Sequence, residues 1–183
     1  MQITFTRTGL RTYTTVAVRD DRVGVSIPAF DRPAALPHDI AHFVVERDLG
    51  LRRGFWGCVA DGAMFPGMSV VSGRQSPRAA ERSREVIRDS GQQGTEAEVL
   101  VGTLLHIAEG GLDTSSPLVR DLMRDMWAPA GRPSHATVTA DDVRRICEAL
   151  REAERGWHRT PVGQSMQVSW EVAARDRRRH ARR

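Results

Sequence analysis

The 183-residue chain has no lysine, only two cysteines, few aromatic residues and no long apolar run. A membrane-spanning helix needs roughly 18 to 20 mostly apolar residues, so we expect no membrane contact. Residues 1–5 carry neither a charged leader nor an apolar core, and we expect no signal peptide. Cys58 and Cys147 provide neither a disulfide framework nor a metal-binding pair. The sequence therefore favours a reducing, cytoplasmic location.

The missing lysines make arginine the only strongly basic residue, and its distribution is uneven. The net charge is +4, but six of the 27 arginines and only one of the 23 acidic residues lie in residues 175–183. The other 174 residues hold 21 basic and 22 acidic side chains, a net charge of −1. The basic character therefore belongs to the carboxyl-terminal tail, and we expect a nearly neutral folded body.

The order of the sequence patterns predicts an α+β fold. Apolar and polar residues alternate over residues 1–27 around two turn signals, which indicates a three-stranded β-meander. A mainly helical body follows, with helix-start signals at Pro37, Ser76, Thr95, Ser116 and Thr139. A final strand is predicted at 165–172. We expect one globular domain over residues 1–172 and a basic, disordered tail over residues 173–183.

The helix predicted at 37–49 is apolar on most sides and polar on one narrow face. At about 100° per residue, four ionisable side chains fall within about 100° of one another. This polar face consists of His38, Asp39, His42 and Glu46. Because buried ionisable groups are costly unless they are paired or bind a metal, the polar face should meet a cleft or polar partners.

The spacing of the two histidines predicts a metal site. Imidazoles four residues apart on one helical face, as His38 and His42 are, can converge on one ion. Both lie in the first turns, where the helix dipole favours the neutral imidazole that a metal needs. An acidic residue beside the ion, here Asp39, can take a proton from bound water. The pattern predicts a metal-dependent hydrolase with zinc or another divalent metal, a catalytic Asp39 and an unknown substrate.

The string His38-Asp39-Ile40-Ala41-His42 resembles the His-Glu-x-x-His helix of the zincin metallopeptidases, with aspartate in the place of glutamate. The resemblance covers these five residues. It implies that His38 and His42 bind zinc and that Asp39 acts as the general base. Residues 36–51 also resemble a signature of uncharacterised bacterial proteins, and this implies no particular activity.

The third metal ligand has three candidates in the sequence. Glu46 lies about 12 Å from His38 along the helix axis, which favours a supporting contact to a ligand over direct binding. His106 and Glu109 are the alternatives, if the helix that carries them packs against residues 37–49. On that helix, Thr95 and Glu98 fit a capping box, which assigns Glu98 to the helix start.

A second interpretation from a different functional class also stays open. The polar face is then a structural network, in which Asp39 satisfies amide groups at the helix start and Glu46 pairs with a buried arginine. The protein is in that case a non-catalytic interaction module. Its arginine-rich tail, residues 175–183, makes weak contacts with nucleic acid or another polyanion.

Overall fold

The computed structural model describes residues 1–29, 35–126 and 138–171, and these form five strands and five helices. The predicted tail, residues 173–183, lies outside the described residues. In chain order the elements are β1 (Gln2–Arg7), β2 (Tyr13–Val18), β3 (Gly24–Ile27), α1 (His38–Leu49), α2 (Phe55–Ala60), β4 (Ser69–Ser72), α3 (Ala79–Glu109), α4 (Pro117–Asp125), α5 (Ala140–Arg159) and β5 (Ser165–Ser169).

The strands form one antiparallel sheet in the order β4-β3-β2-β1-β5. The predicted α+β fold and its amino-terminal meander are confirmed, and β5 is the final strand that the sequence predicted. Alternate residues of the meander are buried and share one face, including Ile3, Phe5, Ala17 and Val25. Thr15 is a fully buried polar residue on this same face. β4 has four exposed residues and was not expected from the sequence.

Helix α1 packs against α2, α3 and α5, so it is enclosed on most sides. The predicted burial of this helix is confirmed, since nine of its twelve residues are buried. It begins directly after Pro37, and Gly50 ends it in the left-handed conformation at φ 67°. That conformation suits glycine, because a side chain there would be strained.

Helix α3 joins two segments that the sequence analysis treated as separate helices. Gly91 has non-helical angles, φ 42° and ψ −124°, but helical structure resumes immediately after it. Thr95 is therefore an interior residue of α3, and the predicted capping box with Glu98 does not start a helix. The buried stripe of α3 includes Ala97, Leu100, Val101 and Leu104. Within the described ranges, no helix combines the length and apolar character that crossing a membrane requires.

Candidate functional site

On the polar face of α1, the two histidine side chains lie next to each other. The ring centroids of His38 and His42 are 4.6 Å apart, with the rings nearly edge to face. His42 is 3% exposed, whereas His38 is only half-buried. The predicted adjacency of the two imidazoles is therefore present, and it opens toward solvent on the side of His38.

Glu46 is fully buried one turn beyond His42 and accepts three hydrogen bonds. Its donors are Nδ1 of His42 at 2.8 Å and the backbone amides of Phe55 at 2.8 Å and Trp56 at 2.9 Å. These partners replace the buried arginine that one interpretation of the sequence assigned to Glu46. Burial raises the pKa of Glu46, although all three donors favour its ionised form.

Close backbone packing holds the Glu46 carboxylate against the start of α2. A Cβ atom on Gly54 would lie 2.6 Å from both Glu46 carboxylate oxygens, so only glycine fits there. Gly54 immediately precedes Phe55 and Trp56, whose amides point at the carboxylate. The close approach of the backbone to a buried acid thus explains the glycine at position 54.

His42 lies between two carboxylates from different helices. Its Nδ1 contacts Glu46, and its Nε2 lies 3.3 Å from Oε2 of Glu98 on α3. Burial alone would lower the pKa of His42, but the hydrogen bonds and negative charges of Glu46 and Glu98 outweigh it and raise the pKa to about 9. The two carboxylates therefore favour the protonated imidazole, unlike the neutral form expected from the helix dipole alone.

Glu98 completes a group that the sequence analysis missed. One ligand atom from each of His38, His42 and Glu98 lies within 4.8 Å of the other two. Ligand atoms bound about 2 Å from a tetrahedral zinc ion are about 3.3 Å apart. His42 Nε2 and Glu98 Oε2 already have this separation. The separations from the His38 ligand atom are at most 4.8 Å, so the three groups are close enough to hold one ion.

The predicted third ligands, Glu46, His106 and Glu109, lie outside this group. Glu46 is held by Phe55 and Trp56 and reaches His42 only through the nitrogen that faces away from Glu98. His106 is exposed and lines a shallow depression with Leu122 and other residues near α4. It follows Glu98 by eight residues, about 12 Å along α3, which explains why it does not join the group.

Asp39 is buried against the sheet, where its carboxylate accepts a hydrogen bond from Thr15 at 2.9 Å. Its backbone carbonyl accepts one from the Trp56 indole, also at 2.9 Å. Burial raises the pKa of Asp39 to about 6, while Thr15 and the charge of His42 act in the opposite direction. Its side-chain partner is thus a hydroxyl group from β2.

No protein family, curated protein or solved structure matched the chain when it was compared with known proteins.

Proposed function

We propose that His38, His42 and Glu98 bind a divalent transition metal, with zinc as the first candidate, and that the protein is a metal-dependent hydrolase. The observation that carries this proposal is the meeting of these three side chains from α1 and α3. Two imidazoles and one carboxylate are a ligand set that suits zinc in catalytic sites, which keep a position open. The substrate is not specified by these residues.

The contact between Glu46 and His42 supports the metal-binding part of the proposal. Histidine ligands usually donate their second ring N–H to a carboxylate, which fixes the ring orientation and increases ligand basicity. His42 has this arrangement, with Nδ1 on Glu46 and Nε2 directed at Glu98. Glu46 then serves as an outer hydrogen-bond partner of a ligand, the supporting role that its position in the sequence favoured.

The chemistry of Asp39 supports a hydrolytic function. A bound zinc ion would supply Lewis-acid activation of water. A general base works best when its pKa lies near the working pH, and a pKa of about 6 brings Asp39 close to that range. Asp39 directly follows the proposed ligand His38 in the sequence, and the charge of His42, the other proposed histidine ligand, acts on its pKa.

The test is the metal content of the purified protein, measured by mass spectrometry after reconstitution with zinc. We expect about one zinc ion per chain in the wild type and a negligible amount in the His38→Ala/His42→Ala variant. His106→Ala is the matched control, because it removes an exposed histidine outside the group, and it should keep its zinc. Equal and negligible zinc in all three proteins would refute the proposal.

A non-catalytic interaction module is the second candidate, and the hydrogen bonds of the polar face favour it. Glu46 and Asp39 both have protein partners without any metal. Under this proposal the tail binds polyanions, since six arginines in nine residues can neutralise phosphates. Truncation after Ala174 should then abolish salt-sensitive binding to nucleic acid, and unchanged binding would reject this second candidate.

Both candidates retain the proposed cytoplasmic location. The two free, buried cysteines agree with that location.

A further inference from the structure

A cleft of about 760 Å³ lies beside the proposed metal group. Its volume falls within the range of about 300 to 1,000 Å³ that is typical of small-molecule sites. Most of its lining is apolar, contributed by α2, α3 and the segment that leads into β4. Five large apolar side chains in this lining are only half-buried: Phe55, Phe65, Met68, Ile87 and Val99.

The cleft and the metal group share structural elements. Glu98 lines the cleft and also lies 3.3 Å from His42. The Phe55 ring lines the cleft as well, and its centroid is 5.8 Å from that of His42. A molecule in the cleft would therefore have one end next to the histidines and the carboxylate.

The lining favours an uncharged aromatic group. Among the described residues, the charged side chains of the lining are Arg53 and Glu98, which have opposite signs, so these residues provide no net charge that would select an ionic ligand. Phe55 and Phe65 stack with centroids 5.3 Å apart and an interplanar angle of 24°. An aromatic ring of a ligand would make favourable contacts with the Phe55 and Phe65 rings and with the Met68 sulfur, which also lines the cleft. These contacts add to the stabilisation that comes from the buried apolar area.

We propose that this cleft binds an uncharged aromatic group of the substrate and presents the adjacent bond to His38, His42 and Glu98. This inference rests on the proposed hydrolase function, because only that function makes the bound molecule a substrate. The cleft itself is lined by residues of the protein, and a metal ion is not needed to form it. Binding of an apolar probe is therefore expected in both the metal-free and the zinc-loaded protein.

The test is a fluorescence titration with N-phenyl-1-naphthylamine, an uncharged aromatic dye that becomes bright in apolar surroundings. We expect saturable binding to one site in the metal-free wild type. Gly94 lines the cleft on α3, and a Cβ added there would make only ordinary contacts with Ser90 and Arg53. Gly94→Leu should therefore fill part of the cleft without strain and raise the Kd of the dye by roughly tenfold or more.

Gly102→Leu is the matched control. It makes the same substitution on the same helix, at an exposed position where a Cβ atom meets nothing within 4 Å. It should leave the Kd within about twofold of the wild type. If Gly94→Leu does not fold, as judged by its thermal melt, Thr95→Trp replaces it, because Thr95 is exposed and lines the same cleft.

The outcomes separate this inference from the proposed metal site. If only the cleft variants weaken dye binding, the result supports the cleft as the binding site. This conclusion holds whatever the zinc content of the protein is. Absence of saturable dye binding, or equal loss in the cleft and control variants, overturns the inference even if zinc binds. Zinc content is measured on the same preparations, so a failure of the metal site is seen independently.

Discussion

Asp39 is the residue whose environment most clearly departs from that of an ordinary surface acid. It is 3% exposed, and its carboxylate accepts a hydrogen bond from Thr15. Burial disfavours the charged carboxylate and raises its pKa from 3.8 to about 6. A carboxylic acid with this pKa changes its protonation state within the range in which many hydrolases work.

We predict that Asp39→Asn changes the pH dependence of stability. A carboxyl group with a raised folded-state pKa contributes stability that is fully present below pH 3.8 and is lost as the pH rises through about 6. In the wild type this loss should be on the order of 3 kcal/mol in the free energy of unfolding. Asparagine does not ionise, so urea unfolding between pH 3.5 and 7 should show a flatter profile in the variant.

The same variant distinguishes a catalytic from a structural Asp39. Asparagine still accepts the Thr15 hydrogen bond but cannot take a proton, so any hydrolytic activity should fall on the order of 10²-fold while zinc is retained. Thr15→Val is the control, because it removes the hydrogen bond to Asp39 and leaves the carboxylate in place.

For the stability measurement, identical pH profiles for Asp39→Asn and the wild type would show that Asp39 does not titrate as described.

At the scale of elements, the Glu46 carboxylate connects α1 to the start of α2. Glu46 is fully buried and accepts hydrogen bonds from two backbone amides and His42. Short helices such as α2, with six residues, gain little stability of their own. This carboxylate therefore helps to hold α2, which carries the cleft residue Phe55, in its orientation.

We predict that Glu46→Gln destabilises the fold and weakens metal binding. The amide keeps the size of the side chain, but its NH₂ group faces a donor, so at least one of the three donors is left unpaired. The expected cost is roughly 3 kcal/mol in the free energy of unfolding, measured with urea. Zinc affinity should also fall, by roughly 10- to 100-fold, because His42 loses the partner that orients it.

Glu109→Gln is the matched control for that measurement, since Glu109 is an exposed acid on α3. It should change the free energy of unfolding by less than about 0.5 kcal/mol. If Glu46→Gln is as stable as this control, the carboxylate does not hold α2 in place.

Local patterns in the sequence were sufficient for the meander, for α1 and for the pairing of His38 with His42. These features depend on residues close together in the chain, at periods of two or four residues. Glu98 could not be placed in the same way, because it reaches His42 only through the packing of α3 on α1. Its spacing from Thr95 suggested a helix cap instead. β4 was missed because its Ser-Val-Val-Ser sequence is short and has no alternating pattern.

Across the whole molecule, the proposed site lies where α1 meets α3. The inner end of the polar face is closed by Glu46 and α2, while Glu98, whose side chain is 59% exposed, lies at the open end. The adjoining cleft gives this open end an apolar wall. The arrangement combines a polar group with access from solvent and a neighbouring apolar cleft, as small-molecule sites commonly do.

The most direct test of the metal site is a competitive zinc titration of Glu98→Gln against a chelator of known affinity. Glu98 is the proposed ligand that comes from a different helix, so its removal tests whether α1 and α3 form one site. Zinc affinity should fall at least about tenfold in Glu98→Gln and stay within about twofold of the wild type in Glu109→Gln. Equal zinc affinities in all three proteins would contradict a site built from His38, His42 and Glu98.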